Sequence, residues 1–263
     1  MEIIKKKLYN QCKHTVKKYC WNRTIIDISR LRQKDEWTED KRMSFEGLTL
    51  KAVRFLMENK MNDNKSWYNE HKEEYKKYVY NPFSELVMEL APTMIEIDSQ
   101  IITIPSKIIS RVYRDIRFTK DKSLYRDNVW IVFLRDKSRM STSSCFWFEL
   151  NQQGSSYGVG FYGATSQSMA RMREMIIDNH PAFRKALKCY ETQSQFVIGG
   201  EKYKRSKFPA QPENIKTWLD RKNIFFEYVE SGYELAFSKE LPEVLKKGFK
   251  TLKPIYDFLS MID

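Results

Sequence analysis

The sequence predicts an α+β fold, in which a largely antiparallel central sheet is flanked by helices within a single domain. Amphipathic helical patterns come first along the chain body, strand-like stretches follow one another in the middle, and helical patterns return around a candidate hairpin. Strands that succeed one another without an intervening helix favour antiparallel pairing, because a parallel pair needs a long crossover connection.

The helical region opens with residues 48 to 59, whose apolar side chains crowd toward one side of a helix. A turn follows at residues 61 to 64, and Asn64 is suited to cap the next helix. That helix is predicted over residues 66 to 78. Its aromatic stripe consists of Trp67, His71, Tyr75 and Tyr78. Pro82 fits the first turn of a third helix that runs to residue 88 or 90.

Four stretches in the middle of the chain are predicted to be strands. Residues 107 to 113 form the first, and residues 129 to 135 form the second, which is apolar on both faces, as is typical of a central strand. Residues 145 to 151 alternate between apolar and polar side chains, and residues 157 to 162 complete the set.

The remainder of the chain alternates between helical and strand patterns. Helices are predicted over residues 166 to 179 and from Pro181 onward. Two strands, residues 224 to 230 and 233 to 238, flank Ser231 and Gly232, which suit a two-residue hairpin loop. The last pattern, residues 241 to 261, predicts a closing helix kinked at Pro254.

Half of the net charge of +12 lies near the N-terminus. Residues 1 to 42 contain 12 Lys/Arg and 6 Asp/Glu and show no sustained helical or strand period. A clean amphipathic pattern begins after them. We therefore expect residues 1 to 42 to be a basic leader, either disordered or not native, and residues 43 to 263 to form the single domain. The alternative is a basic arm that binds an acidic surface.

Nothing in the composition indicates a membrane or an oxidising compartment. No apolar run approaches the roughly 20 residues of a membrane span. The basic N-terminus lacks the apolar region of a signal peptide, and four scattered cysteines are too few for a disulfide framework. We expect a cytoplasmic protein without a membrane partner.

Two glycine motifs match functional loops without the context that those loops need. GSSYG, residues 154 to 158, matches G-x-S-x-G, but Ser156 precedes a strand-like stretch, so a hairpin turn is the better interpretation. GVGFYG, residues 158 to 163, matches the dinucleotide fingerprint, yet its interior favours a glycine-rich strand. No cofactor is therefore predicted.

No metal site is predicted either. Cys12, His14 and Cys20 supply three candidate zinc ligands where a structural site needs four, and their spacing is atypical. We expect His71 to pack on the aromatic stripe and His180 to cap the helix that follows it.

The densest charge cluster is RVYRDIRFTKDKSLYRD, residues 111 to 127. Its composition favours a strand over residues 111 to 118 followed by a loop, and a helix is the alternative. In either geometry, four cations are expected to gather near Asp115: Arg111, Arg114, Arg117 and Lys122. Guanidinium groups match carboxylate and phosphate oxygens, and an anionic ligand would relieve their mutual repulsion. The alternative is an ion-pair network with Glu201 or an early-helix acid as counter-charge.

The same stretch carries a family resemblance. The pattern R-x-x-R-D-x-R-F-x-x-x-K-x-x-Y fits residues 111 to 125 without a gap and resembles the signature of a bacterial family known as domain of unknown function 2461. The resemblance covers residues 45 to 259 and includes RFLMENKMNDNKSWYNEHKEEY, GVGFYG and GGEKYKR. His71 departs from the family's usual polar residue, and such proteins generally lack the leader. The resemblance implies no established activity.

The functional expectation is therefore a protein that binds a phosphorylated or carboxylated ligand, with its status as an enzyme left open. The four cations would hold the anion, Asp115 would orient them or act as a weak candidate acid/base, and Tyr125 would donate a hydrogen bond. Trp67 and Tyr68 would wall the pocket. The alternatives are a nucleic-acid-binding module, which the mild charge of the chain body disfavours, and a structural or partner-binding domain. The substrate, any protein partner and the oligomeric state do not follow from the sequence.

Overall fold

The structure is a computed structural model that describes residues 45 to 117 and 120 to 262. The predicted basic leader, residues 1 to 42, and the three zinc-ligand candidates in it lie outside the described residues. The described residues share one hydrophobic core, which extends from Phe45 to Ile262 along the chain.

The N-terminal part of the described chain is helical, as predicted. Helix α1 (Leu50–Asn62) buries one face and ends at Asp63, which adopts a left-handed conformation. Helix α2 (Lys65–Glu70) begins after Asn64, whose side chain accepts a hydrogen bond from the Ser66 amide at 2.7 Å. This bond confirms the predicted cap.

The second and third predicted helices form a nearly continuous helical stretch. Helix α3 (Lys72–Tyr75), a π-helical turn (Lys76–Tyr80) and helix α4 (Asn81–Ile97) follow one another directly. Pro82 lies in the first turn of α4, as predicted, but α4 continues well past residue 90. The extension has a packing cause, since Leu90, Met94 and Ile97 are buried along one face.

Five antiparallel strands form one sheet in the order β1-β2-β3-β5-β4. Their bounds are Val129–Phe133 (β1), Ser144–Asn151 (β2), Gly154–Phe161 (β3), Val197–Gly199 (β4) and Phe225–Ser231 (β5). Together with the helices, this sheet confirms the predicted α+β fold.

The remaining helices lie before β1 and around the C-terminal strands. Their bounds are Pro105–Ile108 (α5), Ser166–Ile177 (α6), Pro181–Glu191 (α7), Glu213–Leu219 (α8), Glu234–Phe237 (α9) and Leu241–Leu259 (α10). His180 Nδ1 accepts a hydrogen bond from the Ala182 amide at 3.2 Å, so the predicted cap of α7 is confirmed.

One face of the sheet packs against helices and forms the core. Phe249 of α10 lies against Phe146 and Tyr157 at ring distances of 5.1 and 6.0 Å, and Phe83 of α4 contacts Phe148 at 5.9 Å. Each fully buried aromatic of this kind stabilises the fold by about 1.5–3 kcal/mol. Side chains on the opposite face stay partly exposed.

Two predicted strands are wrong. Residues 107 to 113 begin inside α5, because Pro105 starts a helical turn, and only Ile109 pairs with β1. Residues 233 to 238 contain α9 instead of the second strand of a hairpin. Strand β5 pairs with β3 along its whole length and with β4 only over residues 225 to 227, so residues 228 to 231 keep one open edge. The Glu230 carboxylate instead accepts the Leu235 amide at the start of α9, which favours a helical turn there.

Strand β1 was predicted to be central, but it lies at the edge of the sheet. Its apolar character has another cause. Ile109 pairs with Ile131 along the outer edge, and the Arg126 guanidinium covers the Trp130 ring at 4.4 Å. Ser156 also differs from expectation: it lies within β3, and the preceding turn falls at residues 152 and 153.

Within the described ranges 45–117 and 120–262, no helix combines the length and the apolar character needed to cross a membrane.

Candidate functional site

The described part of the signature segment (residues 111 to 127), which is residues 111 to 117 and 120 to 127, is a loop at the outer edge of β1. Just before it, the Ser110 amide donates to the Trp130 carbonyl at 2.8 Å. Inside it, the chain folds back on itself, so that the Arg114 amide donates to the Leu124 carbonyl at 2.8 Å and the Arg126 amide to the Val112 carbonyl at 3.0 Å. These bonds form a short antiparallel ribbon.

The strand predicted over residues 111 to 118 is reduced to one bridge, between Tyr113 and Tyr125. Two aspartates account for the difference. Asp115 accepts the Arg117 amide and Asp121 accepts the Ser123 amide, each two residues ahead. Such local bonds favour turns and compete with strand pairing.

The ribbon separates its aromatic and cationic side chains. Residues next to a bridge in an antiparallel pair point away from the bridged residues. Arg114 and Arg126 therefore share the face opposite Tyr113 and Tyr125, where they are diagonal neighbours.

Of the two tyrosines on the aromatic face, Tyr125 belongs to the core and Tyr113 is 42% exposed. Tyr125 is fully buried, with its ring 5.0 Å from Tyr113 and 5.3 Å from Tyr68. Its hydroxyl lies next to the Tyr113 hydroxyl but makes no hydrogen bond of good geometry within the described residues. Burial first, and then the neighbouring Tyr113 phenol, raises the pKa of Tyr125. Tyr125 thus packs inside the fold, whereas the sequence suggested a donor to an exposed ligand.

The end of α1 anchors the ribbon. Asp63 Oδ1 accepts the amides of Leu124 at 2.7 Å and Tyr125 at 3.1 Å. Lys60, one turn earlier, donates to Asp121 Oδ2 at 3.3 Å and to the Ser123 hydroxyl. These bonds fix the segment from a part of the chain some sixty residues away in sequence.

The predicted cations pair with two carboxylates instead of one. Arg117 makes a bidentate contact with Asp115, through Nε at 2.9 Å and Nη2 at 2.7 Å. Arg114 donates to Asp121 at 2.5 Å. Lys122 bonds to the Ile116 carbonyl at 2.8 Å, so it reaches neither carboxylate. The expectation of a single centre at Asp115 is therefore wrong.

Asp115 is suited to orient Arg117 and poorly suited to proton transfer. Hydrogen bonds from the Arg117 side chain and amide hold the pKa of Asp115 well below its ordinary value. A carboxylate that stays ionised at neutral pH is a weak general acid or base, because efficient proton transfer needs a pKa near the working pH.

Arg111 and Arg126 make no ion pair within the described residues. Arg111 is exposed. Arg126 is half-buried: its Nε donates to the Tyr113 carbonyl at 3.2 Å and its guanidinium stacks on Trp130. Burial first, and then the positive charges of Arg114 and Arg111, lowers the pKa of Arg126. Three guanidinium groups thus lie close enough to repel one another, while Asp115 is near enough to attract Arg111 and Arg126 without forming an ion pair with either.

Of the other predicted residues, one joins the segment and two do not. Tyr68 contacts Tyr113 at 5.5 Å as well as Tyr125. Trp67 instead stacks on His71 at 4.1 Å and contacts Phe55, so the predicted packing of His71 is confirmed. Glu201 pairs with Lys222, and its expected role as counter-charge to the signature is not seen in these contacts.

Sequence reasoning missed Lys60, Asp63, Asp121 and Arg126. Asp121 and Arg126 were inside the quoted stretch, and Arg126 directly follows the last residue of the family pattern. Lys60 and Asp63 gave no local signal, because their role depends on a contact across the fold.

Two grooves of the described chain contain no signature residue. One lies between α7 and α10, and the other lies between Thr93 of α4 and α10. No cluster of His, Cys, Asp and Glu within residues 45–117 and 120–262 has the composition of a metal site.

Comparison with known proteins identifies the family. No curated protein matches the chain. The family model described as "Conserved hypothetical protein (DUF2461)" matches residues 51 to 258, which include all of the signature segment and all five strands. The chain therefore belongs to the DUF2461 family of conserved hypothetical proteins.

Proposed function

We propose that this is a cytoplasmic protein that binds an anionic ligand, carrying a phosphate or carboxylate group, on the cationic face of its signature segment. Arg111, Arg114 and Arg126 hold the anion, with Arg117 and Lys122 at the rim. This assignment keeps the expected cluster and adds Arg126.

The observation that carries the proposal is the group of three guanidiniums at the ribbon. Arg114 has one carboxylate partner, while Arg111 and Arg126 form no ion pair within the described residues and only feel the charge of nearby Asp115. Arg126 is half-buried, so its repulsion from Arg114 and Arg111 is poorly screened by water. An anion between them would remove this repulsion and gain charge-assisted hydrogen bonds.

The surrounding contacts suit a preformed site. Asp121 holds Arg114, and Asp63 fixes the ribbon through two backbone amides. Trp130 supports the Arg126 guanidinium from below. A side chain held in place before binding loses less conformational entropy when the ligand arrives.

The alternative, in which the cluster is a structural ion-pair network, is favoured only by the contacts around Asp121. The Lys60–Asp121–Arg114 contacts tie the loop to α1, so Arg114 has a scaffolding role in either case. These pairs are not deeply buried, since the Asp121 side chain is 51% exposed. A buried ion-pair core is therefore a poor description of the cluster.

A thermal-shift screen of the full chain tests the proposal. The probes are inorganic phosphate, sulfate, a nucleotide, a sugar phosphate, a dicarboxylate and a short oligonucleotide. A ligand at a hundred times its dissociation constant should add about 2.7 kcal/mol to the native state. The proposal expects a shift in the parent and in Arg171→Gln, an exposed arginine of α6, and its loss in folded Arg126→Gln.

Two outcomes contradict the proposal. If no anion shifts the parent while Arg114→Ala is strongly destabilised, the segment is a structural element. If only the oligonucleotide shifts the parent, and this shift falls steeply with salt, the nucleic-acid alternative replaces it.

A further inference from the structure

The outer face of the sheet, opposite α10, is an acidic surface with aromatic walls. Strand alternation places six partly exposed side chains on it: Trp130, Trp147, Glu149, Ser156, Phe225 and Glu227. Val132 and Cys145 lie on the same face and are buried, so the accessible part of the face is the region around Gly158. On the other face, aromatic side chains of α4 and α10 pack against the sheet; among the described elements, no helix does the same on this outer face.

The charge of this face is opposite to that of the chain. The five described strands contain three glutamates and no Lys, Arg or His, although the chain as a whole carries a net charge of +12. Glu230 points to the other face, where it bonds to Ser155 and to the Leu235 amide. Glu149 and Glu227 therefore give the outer face its charge.

The two glutamates lie on either side of a glycine in β3. Gly158 is opposite Trp147 on β2 and opposite Glu227 on β5, and Glu149 is two residues along from Trp147. A Cβ at Gly158 would lie 2.9 Å from the Trp147 ring, so this ring extends over the glycine toward β5. From standard strand spacings, the Cα atoms of the two glutamates are roughly 12 Å apart, with Trp147 between them.

Both carboxylates keep unused acceptor capacity. Glu149 Oε1 accepts bonds from Asn128 Nδ2 at 3.1 Å and Asn151 Nδ2 at 3.3 Å, which orient the group and leave Oε2 open. Glu227 makes no hydrogen bond or ion pair within the described part of the chain. Burial first, and then the charge of Glu149, raises the pKa of Glu227, so a nearby positive charge would stabilise both groups.

The aromatic walls suit the same kind of ligand. The rings of Trp147 and Phe225 meet nearly at right angles, 6.1 Å apart, beside Glu227. At the rim of the same face, the Arg126 guanidinium already stacks on Trp130. Aromatic faces attract ammonium and guanidinium groups, and this attraction strengthens when the cation is partly desolvated.

We propose that the outer sheet face binds a linear organic dication, of the aliphatic diamine class, with one ammonium at Glu149, the other at Glu227, and the methylene chain on the Trp147 ring. Charge complementarity identifies the occupant: two separated carboxylates match two separated ammonium groups, and an apolar ring between them matches the chain. The site is independent of the proposed anion site, although Arg126 lies close to both.

Calorimetric titration of the full chain with cadaverine tests this proposal. Pentylamine, which has one ammonium group, and pentanediol, which has none, are the ligand controls. The parent should bind cadaverine, with pentylamine at least about tenfold weaker, because one charge-assisted hydrogen bond contributes roughly ten- to hundredfold in affinity. Glu149→Gln and Glu227→Gln should each lose a similar factor. Glu74→Gln, at an exposed acid of α3 that makes no ion pair, should bind like the parent.

Three results would overturn the proposal: no cadaverine binding by the parent at millimolar concentration, equal binding of pentanediol and cadaverine, or parent-like binding by both glutamine variants. The comparison of the three ligands on the parent needs no variant, so it decides the matter even if a glutamine variant does not fold. Loss of phosphate binding in Arg126→Gln with cadaverine binding kept would separate this site from the anion site.

Discussion

Asp63→Ala should destabilise the protein by more than any ordinary surface substitution, because Asp63 does two things at once. Its carboxylate accepts the Leu124 and Tyr125 amides, and its backbone has a φ of +45°, which L-residues other than Asn and Asp rarely adopt. A hydrogen bond to a charged group contributes about 1.5–3 kcal/mol. Partial hydration of the released amides reduces this, so we expect the two bonds to account for about 3 kcal/mol and the backbone strain for about 1 kcal/mol more.

A set of matched variants separates the two effects in urea unfolding. Asp63→Gly removes the bonds and relieves the strain, so its loss should be about 1 kcal/mol smaller than that of Asp63→Ala. Asp63→Asn keeps a weaker, neutral acceptor and should lose about 1 kcal/mol. Asn179→Ala, at another left-handed residue with φ +51°, should lose about 1 kcal/mol from strain alone. Ordinary surface substitutions change stability by up to about 0.5 kcal/mol. If Asp63→Ala loses less than that, Asp63 does not anchor the ribbon.

Three further predictions concern the core and the sheet. Tyr125→Phe should be neutral or slightly stabilising in urea unfolding, because the buried hydroxyl makes no hydrogen bond of good geometry, whereas Tyr125→Ala should lose about 3–5 kcal/mol. A loss above about 1 kcal/mol in Tyr125→Phe would mean that the hydroxyl is bonded to its neighbour Tyr113. Gly158→Ala should lose at least about 1–3 kcal/mol, because the new Cβ would lie 2.0 Å from the Phe226 carbonyl, while Gly163→Ala, with its nearest contact at 3.2 Å, is the near-neutral control. Burial alone would raise the pKa of Asp98, but hydrogen bonds from Tyr256, the Gln100 amide and Arg135 outweigh it and lower the pKa. The parent should therefore be about 2 kcal/mol more stable than Asp98→Asn at pH values above the unfolded-state pKa, near 4. This difference should disappear as the pH falls through the folded-state pKa of Asp98. A difference in stability that does not change with pH would contradict this reasoning.

Local periodicity predicted most of the fold. The one-sided apolar pattern of α1, the alternation in β2 and the cap at Asn64 depend on neighbours in sequence, and the structure has all three. Residues 233 to 238 have strand-like composition, but the Glu230 carboxylate accepts the Leu235 amide and so favours a helical turn there. That contact depends on where β5 places Glu230, and a sequence window holds no information on it.

The candidate site divides in the same way. The cationic residues of the signature segment were identifiable because they are dense in sequence, and Arg111 and Arg114 each lie close enough to Arg126 to lower its pKa. Their partners were not, since Asp63 and Lys60 reach the segment from the end of α1. The role of Tyr125 depended on which face of the ribbon enters the core, and that face follows from a pairing that the sequence did not indicate.

The most direct test of the anion site measures the stability of Arg111→Gln in sodium chloride and in sodium phosphate at equal ionic strength. Arg111 is exposed and makes no ion pair within the described residues, so a scaffold has no need of its charge. Phosphate stabilises folded proteins in general, and Arg171→Gln measures that general gain.

If the arginines form an anion site, Arg111→Gln should be at least as stable as the parent in chloride, because guanidinium repulsion is relieved. It should also gain clearly less from phosphate than the parent and Arg171→Gln do. If Arg111→Gln is less stable than the parent in chloride and all three proteins gain equally from phosphate, the arginines do not form an anion site.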